Sequence, residues 1–96
     1  MLTGKQRRYL RAIANEQSPI FQVGKGGVNE SLIKGLDDAL EARELIKIRV
    51  LNNSLLEAKE VAKELAEKSN ADLIQVIGNN LILFRRSKEK QQIELP

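Results

Sequence analysis

The chain has no cysteine and no histidine. The first absence excludes a disulfide framework and thiolate metal sites. The second removes nucleophile–histidine triads, zinc sites built on imidazole and any switch that depends on histidine protonation. Aromatic residues are scarce, one Tyr and two Phe, too few for a sheet that displays a base-stacking pair as well as packing its core. Long apolar runs are absent too: nowhere do about 18 consecutive apolar residues occur. The opening Met1-Leu2-Thr3-Gly4-Lys5-Gln6-Arg7-Arg8 turns charged before a stretch of signal-peptide length appears. The expectation is a cytoplasmic protein with no membrane partner.

What remains is a 96-residue chain, 42% hydrophobic, enough for one modest core and not for two. A large enclosed catalytic cavity would compete with that core for the same side chains. The net charge of +3 says little, but its placement says more. Residues 1–29 carry Lys5, Arg7, Arg8, Arg11 and Lys25 against Glu16 alone, whereas residues 30–44 carry Lys34 and Arg43 against Glu30, Asp37, Asp38, Glu41 and Glu44. Lys47 and Arg49 follow, and Arg85, Arg86, Lys88 and Lys90 lie near the end. Segregation of this kind makes basic surfaces beside acidic ones, as binding a polyanion requires.

Thr3 and Gln6 have capping-box spacing, which predicts a first helix from Gly4 to about residues 15–17. At helical spacing Gln6, Leu10, Ile13 and Ala14 share one face, and Lys5, Arg7, Arg8 and Arg11 fan outward on the other. Cations in the first turns oppose the helix dipole, a cost that a binding role would explain. Ser18-Pro19 ends this helix, and Ile20 to Val23 reads as a short strand.

Asn29 is placed to cap a second helix with the stripe Leu32, Ile33, Leu36, Ala39 and Leu40. Gly35 inside it costs about 0.8–1 kcal/mol relative to Ala, which a close crossing at that flank would justify. Glu44 to Leu51 is the next strand, with Lys47 and Arg49 on the face opposite Ile46, Ile48 and Val50. Asn52-Asn53 turns the chain, and Ser54 with Glu57 suggests a capping box that opens a third helix reaching about Lys68. Its stripe is Leu55, Ala58, Val61, Ala62 and Leu65. Leu73–Ile77 and Leu81–Arg86 form a hairpin about Gly78-Asn79-Asn80.

The order is therefore α-β-α-β-α-β-β, an α/β fold whose simplest packing is a two-layer sandwich with a mixed four-stranded sheet. Residues 1–87 make the domain. Residues 88–96 read as a polar tail, frayed unless Ile93-Glu94-Leu95 docks.

Between the first strand and the second helix stands Gly24-Lys25-Gly26-Gly27, a GxxG turn. Glycines permit positive φ and let a phosphate backbone approach without a Cβ in the way, while Lys25 supplies a mobile cation. Backbone N–H groups of the turn and of the helix start can also face an anion. A tight strand-to-helix connection would select glycine as well. The turn lacks the spacing of a nucleotide-triphosphate loop, and Asn29 stands where a dinucleotide fingerprint needs Gly or Ala. Asp37, Asp38 and Glu41 form an acidic helix face without a third functional type beside them, so no catalytic site and no cofactor or metal is expected. Phe21 and Phe84 read as core, Tyr9 as a flank residue.

Several stretches together resemble a known family. Gln6-Arg7-Arg8-Tyr9-Leu10-Arg11, Phe21-Gln22-Val23-Gly24-Lys25-Gly26-Gly27, Glu44-Leu45-Ile46-Lys47-Ile48, and Ile77-Gly78 followed by Leu83-Phe84-Arg85 are similar, in order and spacing, to the YhbY family of single CRM domains, the chloroplast RNA splicing and ribosome maturation module. The resemblance implies the same α-β-α-β-α-β-β fold, with the glycine turn used in the manner of a KH domain. It also implies a monomeric, non-catalytic RNA-binding protein acting on ribosomal RNA in precursors of the large subunit. On that reading Gly24, Lys25, Gly26 and Gly27 bind RNA backbone, joined by Arg7, Arg8 and Arg11, with Lys47 and Arg85 as secondary contacts. The chain departs from the family's pattern at Arg43, where histidine is common, and at Phe84, where tyrosine is common. The alternative is a module that binds a ribosomal protein or assembly factor through Asp37, Asp38 and Glu41. Duplex DNA is a weaker third reading, since no helix shows a base-reading face.

Overall fold

The structure is a computed structural model that describes residues 2–24, 26–51 and 57–96. Three helices and four strands follow in the order α1 (Gly4–Ala14), β1 (Phe21–Val23), α2 (Glu30–Arg43), β2 (Leu45–Val50), α3 (Ala58–Ser69), β3 (Asp72–Ile77) and β4 (Asn80–Phe84). Both ends of the Thr3 capping box close: the Gln6 N–H donates to Thr3 Oγ1 at 3.1 Å and the Thr3 N–H to Gln6 Oε1 at 3.0 Å. Asn29 caps α2 by accepting the Leu32 N–H at 2.8 Å. The predicted turn at 52–53 and the Ser54 and Leu55 positions of the third helix lie outside the described residues. Glu57 has extended backbone and makes no side-chain cap, so α3 begins at Ala58, later than the spacing suggests.

The sheet order is β1-β2-β4-β3, with β1 parallel to β2 and the other pairs antiparallel. Alternation along the strands divides the core in two. Ile46, Ile48, Val50, Leu81, Leu83 and Val23 face α2 and α3, where Leu36, Leu40, Val61 and Leu65 close the α/β sandwich. Leu45, Ile82, Phe84 and the bulged Ile74 face the other way, and α1 lies on them through Leu10 and Ala14. The sandwich thus gains a partial third layer. Phe84 is core, as expected, and Phe21 packs on the α2 side, where a Cβ on Gly35 would come within 3.1 Å of its ring. The helix glycine marks that close crossing.

The C-terminal tail docks on the domain, as the alternative for Ile93-Glu94-Leu95 allows. Glu44 ends α2 at a positive φ of 69° and is buried, and its carboxylate accepts the N–H groups of Ser87, Gln92 and Ile93 at 2.7–2.9 Å. Glu41 accepts those of Lys88 and Glu89 and the Ser87 hydroxyl. Ile93 and Leu95 then pack under α1. Polar composition concealed this, because the donors are backbone groups, which any sequence supplies.

Candidate nucleic-acid interface

The glycine turn leaves β1 at its C-terminal end. The Gly27 N–H donates to Gly24 O at 2.9 Å, closing a four-residue turn, and Gly27 holds a φ of 60°. A Cβ at Gly24 would meet Leu51 Cδ1 at 3.3 Å, whereas at Gly26 the nearest atom would be Asn29 Nδ2 at 3.8 Å, an ordinary contact. Packing therefore accounts for Gly24 and backbone conformation for Gly27, which leaves Gly26, exposed at the tip, without a steric reason. Lys25 lies outside the described residues. The helix start beyond is partly occupied: Asn29 takes the Leu32 N–H, and Glu30 puts a carboxylate in the first turn.

Two backbone bonds bring other segments to the same end of the sheet. Leu51 N–H donates to Val23 O at 2.9 Å, and Val50 N–H to Asn79 O at 2.7 Å. Arg49 is exposed there, paired in register with Gln22 on one side and Asn80 on the other. Lys47, half-buried, lies two residues farther down β2 on the same face, where the cover of α1 begins. Arg8 is exposed on α1, and Arg11 is half-exposed. Arg8, Arg11, Lys47 and Arg49 thus all lie on the α1 side of the sheet, where a path from Lys47 along β2 to Arg49 leads to the turn.

The structure does not bring the other expected cations into that path. Arg7 is not displayed outward: its Nη1 donates to Leu73 O of β3 at 2.9 Å, tying α1 to the sheet. Arg85 points to the opposite face, where it binds Asp37 Oδ1 at 2.6 Å, Ser69 O at 2.8 Å and Asp37 O at 3.0 Å. It clamps β4 to α2 and the end of α3. The acidic face is likewise largely engaged, with Asp37 on Arg85 and Glu41 on the tail. The Glu41 carboxyl is held below its ordinary value of 4.5 by the Lys88 N–H first, then by the Ser87 hydroxyl and the Glu89 N–H. For Glu44 burial pushes upward, but the N–H groups of Gln92, Ile93 and Ser87, with Arg86 beyond them, outweigh it and lower the pKa.

Arg49 and its neighbours Gln22 and Asn80 carry more of this surface than the sequence alone assigns them. The alternation of Arg49 with Ile48 and Val50 was visible, but the register that lines it up with Gln22 and Asn80 across three strands is a long-range property. Among the described residues no three Asp, Glu, His or Cys side chains converge on a metal site, and no helix is long and apolar enough to cross a membrane.

A mixed α/β sheet with a strand–glycine turn–helix connection and cations beside it defines a small α/β domain with a basic side. The chain belongs to the CRS1/YhbY (CRM) domain family, whose model matches residues 2–85. It is 55% identical over 96 residues to the Bacillus subtilis protein named probable RNA-binding protein YqeI, covering 100% of both chains. A Haemophilus influenzae protein named RNA-binding protein is 30% identical over 95 residues, covering 99% of this chain and 95% of that one. The solution structure of a hypothetical Staphylococcus aureus protein, described as a candidate RNA-binding protein, superposes with a TM-score of 0.82 at 55% identity over 100% of both chains.

Proposed function

We propose that this protein is a non-catalytic RNA-binding protein that acts in the cytoplasm on ribosomal RNA within precursors of the large ribosomal subunit. The observation that carries the reading is the exposed Gly26 tip, which packing does not require, at the head of a face bearing Arg49, Lys47, Arg11 and Arg8. The names of the relatives, all RNA-binding proteins, support the polymer class. Association is electrostatic, through phosphates drawn to Lys25 and the cation path, and the turn then admits the backbone closely. Arg7 and Arg85 serve the fold, so their part in binding is indirect.

The test is a binding titration on ribosomal RNA fragments over a range of salt. Wild-type affinity is expected to fall steeply with salt, as several released counterions require. Lys25→Glu combined with Arg8→Glu should abolish most of the affinity while leaving the circular dichroism unchanged. Undiminished binding of that variant at low salt would remove the site. For the assembly role, crosslinking in cells should enrich ribosomal RNA over the same variant.

A further inference from the structure

RNA held at the turn has two ways to continue, and charge distinguishes them. On one side a groove of about 590 Å³ opens between α2 and α3, lined by Val28, Ile33, Lys34 and Lys68 but also by the carboxylates of Glu30 and Asp37. On the other lies the part of the sheet that α1 leaves uncovered. There the register aligns Gln22, Arg49, Asn80 and Ile77 in one row, a residue from each of the four strands. The next row, Lys47, Ile82 and Gln75, ends the uncovered part, because Ile82 is already buried in the smaller core with Leu10 and Ala14 of α1. Neither row holds a carboxylate.

We infer that this uncovered strip of the sheet seats the bases of unpaired nucleotides leading away from the glycine turn. The inference rests on the reading of the turn as an RNA-backbone site and adds to it a preference for single-stranded segments. Two observations support it. The strip is continuous with the turn, since Gln22 in β1 stands two residues before Gly24. Its exposed side chains suit bases: Gln22 offers an amide with donor and acceptor, and Arg49, with no ion pair among the described residues, offers a guanidinium plane for stacking.

Four strands about 4.8 Å apart make the row roughly 14 Å wide. Sheets of this size seat two or three bases in other RNA-binding folds, there on aromatic rings. None of the strip's own side chains is an aromatic ring, so contact falls to the Gln22 amide, to Arg49 and to the exposed Ile77, which is 56% accessible. The consequence is modest base discrimination in a protein whose turn reads only backbone.

The experiment compares two RNA probes, a fully paired hairpin and the same hairpin with a single-stranded overhang, against wild type, Gln22→Ala/Ile77→Ala, which spares the cation path, and Lys25→Glu. The strip variant should bind the overhang probe about tenfold more weakly and the paired hairpin within about twofold of wild type. Lys25→Glu should weaken both. Equal loss on both probes in the strip variant would reduce the strip to a general contact surface and overturn the inference. So would no loss on either. In both cases the reading of the turn stands if Lys25→Glu still weakens binding. If Lys25→Glu is silent while the strip variant loses the overhang selectively, the turn reading fails and the strip survives it. Loss of self-association in the strip variant, read by sedimentation with RNA binding intact, would assign the surface to a second copy and refute the proposal. Melting curves of all variants verify the fold.

Discussion

Arg85 follows β4 between Phe84 and Arg86 in the sequence, where a free cation would be unremarkable, yet its guanidinium spans α2 and the end of α3 with three hydrogen bonds. Replacing it with Ala leaves Ser69 O and the Asp37 groups without that donor and should cost about 2 kcal/mol in urea denaturation. RNA affinity at constant salt should stay near wild type once the variant is confirmed folded. A large loss of affinity without loss of stability would return Arg85 to the binding surface. The carboxylates that hold the tail make a second residue-scale prediction. Glu44 and Glu41 both have folded pKa values below their ordinary 4.5, so they contribute stability above about that pH and lose it as pH falls through the lower folded values. Amide exchange at Gln92 and Ile93 should therefore accelerate on acidification below 4.5 relative to amides in β2 and β4, after correction for intrinsic rates. Equal protection of tail and sheet throughout that range would contradict it.

Among the elements, α2 shows how a local penalty signals a tertiary contact. Gly35 is a poor helix residue, and the Phe21 ring, 3.1 Å from where a Cβ would stand, is the reason it is there. Gly35→Val drives a branched side chain into that ring and should destabilise the protein by about 1–3 kcal/mol, measured by chemical denaturation. Because Phe21 opens the strand that leads to the turn, broadened resonances are expected at Gly24 and Gly26 in the same variant. No change in stability would mean that β1 yields without cost. The ends of α1 and α2 were readable from Thr3, Gln6 and Asn29, since caps are local chemistry. The start of α3 was not, because capping-box spacing records only where a cap could form.

The whole molecule rests on two cores either side of one sheet, and the tail completes the smaller one. Removing residues 88–96 takes Ile93 and Leu95 from beneath α1 and strips the buried Glu44 carboxylate of two N–H donors. A loss of about 3 kcal/mol is expected in urea denaturation, with the sheet retained by circular dichroism. Unaltered stability would mean the tail rests on the domain without bracing it. The glycine turn, the order of elements, the caps of α1 and α2 and the apolar stripes were determined by the sequence alone. They depend on spacings of a few residues and on the backbone freedom of glycine, which are written locally. Only the tertiary structure decided which cations stay free: Arg7 and Arg85 became ties, while Arg49 came to stand between Gln22 and Asn80 beside the turn. A basic residue reads the same in sequence whether it meets solvent or a distant carbonyl. Register and packing make the difference, since they bring together residues far apart in the chain.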